Sequence, residues 1–121
     1  MGIRAAWDNR ERTIVRLDFE GSWDWNDYRH TIKTAAIMMT EVSHQVDLIF
    51  NMNFSGILPS DVQRILNVLP LNSGVIVITG QHALVTAIAA MFRRVYVRLP
   101  NRVTVAGSIE EARAILLREL E

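Results

Sequence analysis

Few residues in this 121-residue chain combine into a pattern that does chemistry. His30, His44 and His82 stand far apart and in dissimilar contexts, without the His-x-x-x-His type of spacing that puts two imidazoles on one metal. Asp8, Asp18, Asp24, Asp27, Asp47 and Asp61 form no recognisable acid–base pair, and the adjacent acids of a response-regulator receiver are missing. Gly56 and Gly80 are isolated, so there is no Gly-x-Gly-x-x-Gly or Gly-x-x-x-x-Gly-Lys phosphate loop, and no Gly-x-Ser-x-Gly elbow. The absence of cysteine removes thiolate metal sites, disulfides and a cysteine nucleophile. No cofactor is expected, and no nucleophile is matched to a base, so the chain reads as a non-enzyme.

Two places remain. Ser60, in Leu58-Pro59-Ser60-Asp61, has Gln63 three residues on, which is a capping box at a helix start. Trp23-Asp24-Trp25, with Trp7 and Tyr28, is an aromatic cluster at a strand-to-helix junction. Such rings close the end of a core or, with Met52 and Phe54 after a neighbouring strand, line a small apolar pocket for a ligand or lipid. Core or interface packing is the favoured alternative.

The elements that must position these residues follow from periodicity. Residues 4–7 are a short strand, a turn follows at 8–11, and 13–19 alternate from Val15 onward as a strand with one wet face. The two make a hairpin. Asp24 and Asp27 cap a helix carrying Tyr28, Ile32, Ala35, Ala36 and Met39 on one face, ending near residues 42–44. Residues 46–52 keep little alternation and read as a central strand covered on both faces, with a loop over 53–59. A second helix begins at Ser60 and stops at Pro70; residues 74–79 are a buried strand; 83–94 are a third helix; 102–106 are a last strand. Ser108 and Glu111 cap a final helix that buries Ala112, Ile115, Leu116 and Leu120. The order β-β-α-β-α-β-α-β-α implies one α/β domain over residues 1–121, with a mixed, mostly parallel central sheet flanked by helices.

Composition sets outer limits. Thirteen basic and thirteen acidic residues cancel, so there is no basic excess for nucleic acid, and self-association is unopposed by net charge. Residues 1–10 are charged without an apolar stretch, so no secretory signal is expected. The apolar run at 83–92 is about half of the roughly 20 residues a transmembrane helix needs. Its small residues suit a buried helix or a homodimer face. A cytoplasmic location is the expectation.

Phe19-Glu20-Gly21-Ser22-Trp23-Asp24-Trp25 leading into the first helix, Val46-Asp47-Leu48-Ile49-Phe50-Asn51-Met52, Gly74-Val75-Ile76-Val77-Ile78-Thr79-Gly80 and the Ser108 to Ala112 helix start resemble the STAS fold. The likeness is to the short, SpoIIAA-like anti-sigma-factor antagonists, and it spans nearly the whole chain. It implies a bacterial regulatory module that docks a protein partner, by analogy a kinase-like anti-sigma factor. In the phosphoswitch members a serine or threonine after the central strand is phosphorylated by that partner. The resemblance therefore implies a switch or partner surface at Asn51, Ser55, Ser60, Asp61 and Arg64. Asn51 matches the first position of the switch stretch, but the acceptor position holds Asp61, with Ser60 just before it and no glycine after. The usual phosphoserine switch is thus expected to be absent.

Overall fold

The alternation in the second strand assigns its side chains to two different cores. The computed structural model describes residues 2–55, 73–80 and 103–119. They form strands β1 (Ile3–Trp7), β2 (Ile14–Gly21), β3 (Val46–Ser55), β4 (Ser73–Thr79) and β5 (Val103–Ala106), with helices α1 (Trp25–Thr40) and α2 (Ile109–Glu119). The strands make one sheet in sequential order, β1-β2-β3-β4-β5. β1 runs antiparallel to β2, and β2, β3, β4 and β5 run parallel. Parallel neighbours need crossover connections. α1 supplies the one between β2 and β3; the expected helices at 60–70 and 83–94 lie outside the described residues. The fold is α/β, with a mixed, mostly parallel sheet and a described helix on each face.

One face carries Ile3, Val15, Leu17, Phe19, Val46, Leu48, Phe50, Met52, Ile76 and Ile78, packed against Tyr28, Ile32, Ala35 and Met39 of α1. The other carries Ile14, Ile49, Val77 and Ala106, packed against Ala112 and Leu116 of α2. β3 buries both sets, which is why its sequence loses the alternation that β2 keeps. Asp24 caps α1 by accepting from Asp27 N at 2.8 Å, and Asp27 accepts from Asp24 N at 3.0 Å. At α2, Ser108 Oγ accepts from Glu111 N at 3.1 Å, while Glu111 reaches back to Gly107 N at 2.9 Å. Each reciprocal pair satisfies donors that a helix start leaves open.

Three boundaries differ from the sequence reading. α1 stops at Thr40 instead of residues 42–44, with Glu41 as its C-cap. β2 continues past Phe19 to Gly21, whose φ of 58° suits glycine. β3 likewise runs through Asn53, Phe54 and Ser55, where a loop was expected. The cause is pairing: beyond a register shift, Glu20 and Gly21 stay opposite Phe54 and Ser55. Gly74 inside β4 leaves room for the side chains of Asp47 and Gln45, which a Cβ there would push aside. The Asp47 carboxylate instead accepts from Val75 N at 2.8 Å.

Candidate functional site

The carboxyl ends of parallel strands are where open α/β sheets act, because loops leave the sheet there. In this chain that end joins two unlike arrangements. On the α1 face, Phe19 lies 5.1 Å from Trp23 edge-on, 6.4 Å from Tyr28 and 5.8 Å from Phe50, between ring centroids. Trp25 stands perpendicular to both Trp23 and Tyr28 at 5.5 and 6.0 Å. Trp23, Tyr28 and Met52 are buried within the apolar core, and Trp25 packs against it half-buried. The structure thus brings together four of the five residues considered for an apolar pocket, as packed core. Phe54 contributes its backbone to β3; its side chain lies outside the described residues.

On the α2 face, three polar residues stand side by side in register on β2, β3 and β4: Asp18, Asn51 and Thr79. Asn51 is 4% exposed. Its Nδ2 donates to Asp18 Oδ1 at 2.8 Å, and its Oδ1 accepts from Thr79 Oγ1 at 3.1 Å. The carboxylate can only accept, which fixes the orientation of the amide. Arg16 Nε also lies 3.0 Å from Asp18 Oδ1, but its N–H is not aimed there and donates no hydrogen bond. The Thr79 hydroxyl faces an amide oxygen, which takes no proton near neutral pH, so this contact does not activate it as a nucleophile.

Asp18 also lines a cleft of about 400 Å³ with Gly2, Ile3, Arg4 and Glu20. Arg4 and Glu20 pair across it at 3.1 Å, both well exposed. Among the described residues no three His, Asp or Glu side chains gather as a metal site. His44 Nε2 lies 2.8 Å from the Arg12 carbonyl oxygen and donates to it, tying the loop before β3 to the hairpin turn. Arg12 there takes a φ of 58°.

Asn51 is thus held inside the sheet. Ser55 is on β3 opposite Gly21, its side chain outside the described residues, and Ser60, Asp61, Arg64 and His82 lie outside them altogether. Sequence reasoning did not join Asp18 and Thr79 to Asn51. The available signal was a polar residue near the carboxyl end of each of three consecutive strands; register turns it into a row. No described helix is long and apolar enough to cross a membrane. No protein-family model, no curated protein and no solved structure matches the chain.

Proposed function

We propose that the chain is a STAS-type, non-enzymatic regulatory module of the cytoplasm that docks a protein partner through the segment following β3. The observation that carries this reading is the succession of elements: an antiparallel hairpin, a helix, three further parallel strands and a closing helix, in sequential sheet order. That is the part of the expected order on which the family resemblance rests. β3 ends at Ser55, at the carboxyl end of the parallel strands, where such sheets act. Asn51 has a supporting role in this reading, since its side chain ties β3 to both neighbours instead of facing a partner. The docked partner is by analogy a kinase-like anti-sigma factor, and Asp61 at the acceptor position makes the docking independent of phosphorylation.

The competing reading, a small-ligand or lipid-binding module, needs an apolar cavity at the aromatic end. Trp23, Tyr28 and Met52 are packed there as core, which favours the interaction module. The test is affinity capture from the native cell with wild type, Ser60→Ala and Ser60→Glu, followed by mass spectrometry of the chain. A kinase-like partner held equally by all three, with no phosphate on Ser60, is the expected result. A co-purifying small molecule and no such partner would overturn the reading; binding lost in Ser60→Glu with phosphate on Ser60 would restore the switch.

A further inference from the structure

One buried charge lies outside the proposed docking segment and meets the Asn51 row through Arg16, which is 3.0 Å from both Asp8 and Asp18. Asp8 follows β1, and its side chain is 1% exposed. Oδ2 accepts from Arg113 Nε at 2.8 Å; Oδ1 accepts from Arg113 at 2.8 Å and from Arg16 at 3.0 Å. The Arg113 fork is bidentate, the strongest form of this pairing, and it joins residues 105 apart in sequence. Meanwhile, among the described residues, α2 buries few apolar side chains. Ala112 and Leu116 are fully buried and Ile115 partly, whereas Leu117 is 62% exposed. At eleven residues α2 falls below the roughly 12–15 at which an isolated helix begins to persist in water. It is helical because it is docked.

We propose that α2 is a separately releasable cover over Ile14, Ile49, Val77 and Ala106, latched by the Asp8–Arg113 pair. The latch is lopsided. The carboxylate is buried, but the Arg113 side chain is 43% exposed. Without Asp8, the guanidinium turns to water. Without Arg113, a carboxylate is left under the helix with Arg16 alone, and lifting α2 is how it regains solvent. Loss of the guanidinium therefore opens the cover more than loss of the carboxylate. The inequality follows from the unequal burial of the two partners, and separate release of α2 is read from its exchange in wild type.

Native-state hydrogen exchange of the full chain in rising denaturant tests this, comparing peptides from α2 and β3 in wild type, Asp8→Asn and Arg113→Ala. In wild type, α2 amides should exchange through a local opening with little denaturant dependence, well before those of β3. Arg113→Ala should speed α2 exchange about 100-fold and Asp8→Asn about tenfold. Wild-type α2 amides that exchange only together with β3 overturn the proposal, as does equal acceleration by the two variants. Should Arg113→Ala not fold, the wild-type comparison decides alone.

Discussion

The helices described on the two faces of the sheet are held by different chemistry. α1 docks through rings and aliphatic side chains: Tyr28, Ile32, Ala35 and Met39 against Phe19, Leu17, Phe50 and Ile78. Among the described residues, α2 docks through Ala112, Leu116 and the partly buried Ile115, and through Arg113 on the Asp8 carboxylate that Arg16 also holds. The difference teaches that one sheet can hold helices with unequal independence. An apolar face is non-directional and spreads its contribution over many contacts. An ionic latch concentrates it in one geometry, so its loss acts on one element.

The largest break in that comparison comes from Phe19→Ala. Phe19 touches Trp23, Tyr28 and Phe50 and has no exposed surface. Truncation should cost about 3–5 kcal/mol. Because the contacts are shared between β2, β3 and α1, the loss should appear as a lower midpoint of global denaturant unfolding, with no separate early transition. An early loss of α1 helicity with the sheet intact would refute this account of the α1 face.

A smaller effect separates the polar row from the latch. Asn51→Leu keeps the branching of the side chain but removes the bonds to Asp18 and Thr79, leaving the buried Thr79 hydroxyl without this acceptor. The expected cost is about 2 kcal/mol of global stability. The row ties β2, β3 and β4 and reaches the latch through Arg16, which lies 3.0 Å from Asp18 without a hydrogen bond to it, so α2 exchange should keep its small denaturant dependence. A selective release of α2 in Asn51→Leu would mean that the row and the latch are one network.

The same contrast explains what was legible in the sequence. Hydrophobic period reports which elements exist and which face each buries, so the hairpin, α1, the central strand and the final helix are readable before any coordinates. Strand ends depend on the neighbour: nothing in Asn53-Phe54-Ser55 says that Glu20 and Gly21 extend to meet them. Polar pairings depend on register and on separation. Asp8 reads as a turn residue and Arg113 is not among the buried positions read for the final helix, and only the closed fold brings them to 2.8 Å. The aromatic cluster was readable as core or pocket; the distances among Phe19, Trp23 and Tyr28 are those of packing.

Removing each helix's cap sharpens the comparison further. Asp24→Ala and Ser108→Ala delete equivalent N-cap bonds, to Asp27 N and to Glu111 N, each worth about 1 kcal/mol. The readouts should differ. Asp24→Ala should lower global stability by that amount without a local opening of α1. Ser108→Ala should speed exchange of α2 alone by roughly fivefold to tenfold, the equivalent of that energy. Identical behaviour of the two helices would erase the distinction between the faces.

The smallest effect is an expected absence of change, and it bears on what kind of latch this is. The hydrogen bond to Asp8 holds the Arg113 guanidinium above its ordinary pKa, with the nearby Asp8 and Glu110 charges adding to it against a desolvation penalty. A cation whose pKa is raised on folding contributes its stability fully below the unfolded value and loses it only as pH climbs through the folded value. For arginine that window lies in strong alkali. The difference in α2 exchange between wild type and Arg113→Ala should therefore be flat from neutral pH to about pH 10, once intrinsic exchange rates are divided out. Arg113→Lys should lose part of the latch at every pH, because an ammonium offers no fork, and should lose more as the lysine nears its ordinary pKa of about 10.4. A wild-type latch that weakened between those limits would assign the closing force to some group other than the guanidinium, and the contrast between the two faces would have to be drawn from that group instead.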